Sequence, residues 1–256
     1  MQGERVEDRT VIAVGGAERA SFLQGVVTND VARLADGMVY AALLTPQGKY
    51  LADFFLVEEG ERILLDVATP LAADLAKRLG MYKLRAQVTL EETGLEVQRG
   101  LGTPPPGALG DPRHPSLGWR RYGETPGTAP QVDWDGLRVA ACIPESAVEL
   151  VPDDTFVLEA GFARLNGVDF RKGCYVGQEV TARMHHKTQL KKGLVTVDIS
   201  GAAPVGTEIL AGDRPAGRLF TQSGGRAIAH LRFDRAGGEM TAGEARIVWP
   251  EAATAG

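Results

Sequence analysis

Apolar residues occur along the chain in short runs cut by Gly and Pro, and the spacing of those runs changes near residue 190. Residues 10–14 read as a strand, and 18–23 as a short helix stopped by Gly25. Two apolar runs, 39–44 and 49–57, flank Thr45-Pro46-Gln47-Gly48. Pro followed two residues later by Gly is turn chemistry, so the pair predicts a β-hairpin. A third strand, 62–67, follows the turn at 58–61. Pro70 can open a helix that Gly80 closes, with Leu71, Leu75 and Leu79 along one face. Residues 88–90 and 95–98 complete an α+β layer.

The stretch 100–118 contains five Gly and five Pro, including Pro104-Pro105-Pro106, and so is neither helix nor central strand. It reads either as a long surface loop or as a segment covering a substrate. Trp134, Leu137 and Ala141 then fall at helical spacing, with Pro144 beyond. After Lys192 the pattern turns to short strands, 193–199, 207–210, 217–221 and 245–249, separated by Gly- and Pro-bearing turns, as in a small antiparallel barrel. The expected organisation is an α+β region over 1–190, with subdomains of about 1–100 and 101–190, and a barrel domain over 191–256. The junction is expected at 188–192.

Composition changes this picture only locally. The 256 residues carry a net charge of −5, which excludes binding nucleic acid by bulk positive charge. Residues 164–192 hold seven Lys/Arg against two acids, a balance of +5, so the other 227 residues carry −10. The N-terminal residues show no apolar signal-peptide core, and apolar runs such as 40–44 fall far short of the ~18 residues of a membrane span. Two distant cysteines, Cys142 and Cys174, argue for a reducing compartment. These readings predict a cytoplasmic protein without a membrane contact.

The basic island also concentrates the candidate chemistry. Lys172-Gly173-Cys174-Tyr175-Val176-Gly177-Gln178-Glu179 sets a cysteine between two glycines, directly after two cations. Val176, Val180 and Met184 predict a helix starting near Tyr175 or Gly177. A thiol at that helix N-terminus beside Arg171 and Lys172 would be favoured as thiolate. A buried, inert cysteine is the alternative, and the residues alone do not separate the two. Adjacent His185 and His186 point ~100° apart on a helix and do not make a metal pair; no metal site is expected. Asp53, in Ala52-Asp53, and Thr28-Asn29-Asp30 form a second, weaker constellation. The chain has no phosphate loop, dinucleotide fingerprint or nucleophile elbow.

The octapeptide 172–179, continuing as Val180-Thr181-Ala182-Arg183-Met184-His185-His186-Lys187, resembles the signature of the YgfZ-type folate-binding proteins, relatives of the glycine cleavage T-protein (aminomethyltransferase). Residues 21–31, the hairpin 44–49, Leu84-Arg85 and the closing barrel are similar to other family elements in the same order. The resemblance implies a T-protein-like ring of α+β subdomains around a folate pocket, with a C-terminal antiparallel β-barrel. It implies tetrahydrofolate or a polyglutamylated derivative as cofactor, with Asp53, Asn29 and Arg85 as folate contacts. It further implies a role in assembly or repair of iron–sulfur clusters, with indirect effect on tRNA modification. Iron–sulfur proteins or their assembly machinery would be the partners. Lys172 and Cys174 match the family's functional Lys and Cys, within a motif that includes Gly173, Tyr175, Gly177, Gln178, Glu179 and Arg183. Cys174 would act as a transient cluster ligand or a redox thiol. T-proteins carry an Asp-Asp pair where this chain has Ala52-Asp53, which argues against aminomethyl transfer. A folate-dependent one-carbon transferase or demethylase is the alternative reading. Polyanion or nucleic-acid binding by the island ranks below both, because few aromatics interleave its cations.

Overall fold

The computed structural model describes residues 3–187 and 189–250. Residue 188 of the expected junction and residues 251–256 of the expected barrel domain lie outside the described residues. In chain order the strands are β1 (Glu4–Arg5), β2 (Arg9–Gly15), β3 (Val39–Leu44), β4 (Tyr50–Glu59), β5 (Arg62–Ala68), β6 (Thr89–Glu92), β7 (Glu96–Gly100), β8 (Leu109–Gly110) and β9 (Trp119–Gly123). The later strands are β10 (Lys192–Ser200), β11 (Glu208–Ala211), β12 (Arg214–Ser223), β13 (Arg226–Arg232), β14 (Glu239–Ala242) and β15 (Ala245–Val248). The helices are α1 (Arg19–Val26), α2 (Thr69–Tyr82), α3 (Trp134–Ala140) and α4 (Gln178–Lys187). Among the described residues no helix is long and apolar enough to cross a membrane.

The strands form three sheets. The first has order β3-β4-β5-β2-β6 and is antiparallel throughout. Its alternate residues go to opposite faces. Val39, Ala41 and Leu43 pack with Leu23, Leu75 and Leu79 of α1 and α2, while Tyr40, Ala42 and Leu44 pack with Ile143, Leu150 and Phe162. Because both faces are buried, the strands read as unbroken apolar runs rather than an alternation. The hairpin forms as its Pro and Gly predict: Gly48 has φ +76° and donates its N–H to the Thr45 carbonyl at 2.8 Å.

A second sheet, β1-β7-β9-β8, lies beside the first, so the two strands expected after α2 belong to different sheets. The third is a closed six-stranded antiparallel barrel, β10-β13-β12-β11-β14-β15, around Val197, Leu219, Leu231 and Ile247. Two of its strands, β13 and β14, fall outside the stretches read as strand from the sequence. Two helix ends also differ. Both α1 and α2 run through the glycines expected to stop them, Gly25 and Gly80. An added Cβ at either would meet nothing within 4 Å, so neither position makes a glycine break.

The first two sheets are joined by a ladder of buried charges. Asp66 of β5, with no solvent exposure, accepts from Arg9 Nε at 2.6 Å, Arg120 Nη1 at 3.1 Å and the Tyr122 hydroxyl at 2.9 Å. Arg120 also reaches Asp111 at 3.3 Å, and Asp111 takes a two-pronged pair from Arg113 at 3.0 and 2.8 Å. The Arg120 and Arg113 guanidinium groups lie 4.2 and 4.8 Å from the Phe55 ring centre. Asp111 and Arg113 come from the Gly- and Pro-rich segment, so this part of it is a buried strut and not a surface loop.

Removing one partner of a buried ion pair leaves the other charge uncompensated, at a cost of about 3–5 kcal/mol. Asp66 has two such partners. Asp66→Asn should lower the unfolding free energy by about 3–5 kcal/mol in urea denaturation; a loss near that of an exposed site, about 0.5 kcal/mol, would show that the ladder does not hold the sheets.

Candidate functional site

The signature segment is fastened at three points. Asp169 Oδ1 accepts the Arg171 and Lys172 amides at 2.7 and 3.1 Å, turning the chain. The Lys172 ammonium, on a residue only 7% exposed, then donates to the carbonyls of Gln24, at 2.7 Å, and of Val27. These are carbonyls at the C-terminal end of α1, where orphan acceptors and the helix dipole favour a cation. Burial, opposed by Asp30 and Asp169, lowers the Lys172 ammonium from the usual 10.5 to about 8. Tyr175 enters the core, and burial raises its phenol. Gly177 has φ +82°, and a Cβ there would sit 2.6 Å from the Thr45 carbonyl oxygen. A Cβ on Gly48 would in turn meet Val180 at 2.8 Å, so two glycines allow α4 to rest on the hairpin turn.

Between these anchors Cys174 is exposed, and the same holds for Gly173, around which nothing lies within 4 Å of an added Cβ. The helix starts at Gln178, four positions after the cysteine, so Cys174 is not at a helix N-terminus as the sequence suggests. The dipole acts within the first turn and does not reach the thiol through that geometry. Cys142, by contrast, is half-buried, and burial raises its thiol. Glu179 and Arg183 face solvent, and Gln178 is half-buried. His185 stacks on Phe170 with ring centres 3.7 Å apart. Within the basic island, Lys172 and Arg164 both cap helices. Arg164 donates to the carbonyls of Ala141 and Cys142 after α3, at 2.8 and 2.6 Å.

Of the residues expected to contact folate, Asn29 and Asp53 both bond to Tyr40 in the interior, while Arg85 is exposed. Asn29 is buried and committed: its amide donates to the carbonyls of Tyr40, at 2.8 Å, and Asn166, at 2.6 Å, and its oxygen accepts the Asp30 N–H at 2.8 Å. Asp53, 3% exposed, accepts hydroxyls from Tyr50 at 2.6 Å, Ser146 at 2.6 Å and Tyr40 at 2.9 Å. Burial and the Asp53 charge push both tyrosine phenols well above their ordinary range, which keeps them donors. Arg85 is exposed in the turn after α2.

A cavity of about 670 Å³ opens on the other side of Ser146, lined by residues of both sheets, α3 and the barrel. Arg9, Arg99, Arg120 and Arg138 face it, together with the acids Glu7, Asp8, Asp135 and Glu145. Arg99 lies 4.1 Å from the Trp134 ring centre, and its buried Nε has no hydrogen-bond partner among the described residues. Burial, then the Arg120 charge, lowers the Arg99 guanidinium to about 10. These residues come from distant segments with no shared motif, which is why the sequence did not reveal them.

For Lys172 the sign of the pH effect follows from the depressed value. Between about pH 8 and 10.5 the unfolded chain binds this proton and the folded chain does not, so stability from this group rises with pH. Below about 8 both states hold the proton and its unfavourable contribution is constant. Urea denaturation of wild type and Lys172→Met should show the wild type gaining on the variant as pH rises across that window. A flat or falling difference would contradict the buried ammonium.

Residues 191–254 match the family described as the CAF17 C-terminal beta-barrel domain. The mouse mitochondrial iron–sulfur cluster assembly factor IBA57 is 30% identical over 92% of this chain and 79% of its own length. Its human counterpart is 29% identical over the same shares. Among solved structures, the glycine cleavage system aminomethyltransferase T of Bartonella henselae superimposes with a TM-score of 0.73. It covers 95% of this chain and 82% of its own at 15% identity, which shows a shared T-protein-like fold. The cytoplasmic expectation is overturned, since these relatives are named as mitochondrial. Free thiols report a reducing environment and do not distinguish one such compartment from another. The identity and coverage of these relatives, on a common architecture, establish that the chain belongs to the family of the iron–sulfur cluster assembly factor IBA57.

Proposed function

We propose that the chain serves iron–sulfur cluster assembly or repair by offering Cys174 as one ligand to a cluster held chiefly by a second protein. The observation carrying this reading is an exposed thiol on a segment fixed on both sides, by Lys172 on α1 and by Tyr175 and Gly177 against core and hairpin. Such a thiol meets an incoming cluster without local refolding. Clusters are held mostly by cysteine thiolates, four per cluster. Among the described residues no three His, Cys, Asp or Glu side chains gather to hold a metal, so the cluster here is cargo and its other ligands come from the partner. The exposed cations Arg171, Arg183 and Lys191 suit an acidic partner surface. Effects on tRNA modification would follow indirectly, through the cluster-bearing enzymes supplied.

The same reading places tetrahydrofolate, or a polyglutamylated derivative, in the central cavity. The fit rests on the orphaned Arg99 Nε, which calls for an anionic acceptor, on Trp134 beside it, and on a volume of about 670 Å³, within the usual range for small ligands. When bound, folate would supply a one-carbon acceptor. Asp53 lies behind Ser146 with both oxygens accepting hydroxyls, and the aminomethyl-transfer alternative gains nothing from that arrangement.

Two outcomes are expected. Cys174→Ser should keep the wild-type melting temperature yet fail to restore cluster-enzyme activity in cells lacking the protein. Full restoration would remove the thiol from the function. Tetrahydrofolate should quench tryptophan fluorescence saturably, and Arg99→Met should weaken binding about tenfold, as expected for loss of a charge-assisted hydrogen bond. Absence of quenching in the wild type would rule out the folate assignment and leave the cluster role standing.

A further inference from the structure

A second cavity, of about 370 Å³, lies where the barrel meets the α+β body, apart from both Cys174 and the Arg99 cavity. Its floor is the outer face of β10, β13 and β12. Leu231, Ala229 and Leu219 point into the barrel core, so the alternate residues His230, Arg232 and Arg218 face outward. The register sets Lys192 directly opposite Arg232, and Arg218 directly opposite His230. Lys192 and Arg232, like charges facing each other across the ladder, repel. Arg235 adds a further cation at the rim.

The acids nearby are Asp154, Glu149 and Glu159 in the lining, Asp234 beside Arg232, and Glu208 of β11 directly opposite Arg218. Glu159 stands 3.4 Å from both Lys192 and His230. Glu149 is buried and spent on Thr221, Arg138 and the Glu145 amide. Arg232 and Arg235 share Asp234, at 3.4 and 4.0 Å, and Arg218 has no ion pair among the described residues. Phe220, Leu194 and Pro215 give the cavity an apolar wall. The junction is a fixed one: the Leu194 amide donates to the Glu159 carbonyl at 2.8 Å, and a Cβ on Gly193 would lie 3.0 Å from that oxygen.

We propose that this seam is a binding site for a small organic oxyanion, a phosphate or carboxylate carried on an apolar group. The oxyanion sits between Arg218 and Arg232 beside His230, and the apolar group lies against Phe220. Placed there, the anion relieves the repulsion between Lys192 and Arg232. The site is independent of the folate and cluster readings.

The test is histidine-ring NMR on the whole protein, with the His230 signal assigned by His230→Gln. Phenyl phosphate and benzoate present the two oxyanions on the same ring, and inorganic phosphate presents the anion alone. Phenyl phosphate or benzoate should shift the His230 signal saturably, more tightly than inorganic phosphate. The stronger of the two identifies the oxyanion. Arg218→Gln, an exposed position, should weaken that binding about tenfold. Arg99→Met should leave it unchanged, which separates this site from the central cavity. No saturable His230 shift with any probe, or equal binding by Arg218→Gln, would overturn the assignment.

Discussion

Asp66 is the constraint on which the arrangement of the body depends. It is one carboxylate in the middle of an apolar strand, with no access to water, and it accepts from two guanidinium groups and a phenol. Burying a charge is costly unless it is paired and hydrogen-bonded, so the strand can take its place only when Arg9 and Arg120 arrive together. Arg9 lies on β2 of the first sheet and Arg120 on β9 of the second. Through Asp111 the ladder extends to Arg113, which draws the Gly- and Pro-rich segment onto Phe55. The relative placement of the two sheets is therefore fixed by charge pairing as well as by apolar contact.

This placement defines both regions to which function is assigned. Arg9 and Arg120 line the central cavity with one face while pairing with Asp66, so the cavity wall is preorganised rather than assembled by a ligand. Arg99 stands next to them over Trp134, its Nε without a hydrogen-bond partner among the described residues, and burial lowers its guanidinium. The opposite side of the first sheet carries α1, whose end receives Lys172. The body thus supplies a rigid support for an exposed cysteine.

How much of this was legible in the sequence depended on the range of the signal. The hairpin could be read because Pro46 and Gly48 act within four residues. The barrel was recognised from its turns, but β13 and β14 were not. Two of the seven residues of β13 are alanines, which favour strands weakly, and three are Arg or His. Cys174 stood out through the octapeptide, although its exposure and its distance from the helix start came only from the structure. The ladder was hidden because Asp66 finds its partners 57 and 54 residues away, and no local pattern names them. Asp53 and Asn29, expected as folate contacts, are hydrogen-bonded within the interior. The basic island likewise separates into helix-capping cations, Arg164 and Lys172, and exposed ones.

The role proposed for Cys174 is that of a cluster ligand. Its most direct test is an anaerobic titration of the protein with a cluster-loaded donor protein, followed by visible circular dichroism, for wild type and Cys174→Ser. The account predicts a saturating change of the cluster signal at one cluster per wild-type chain and none with the variant. An identical change with Cys174→Ser would show that the cluster is bound without this thiol and would contradict the account.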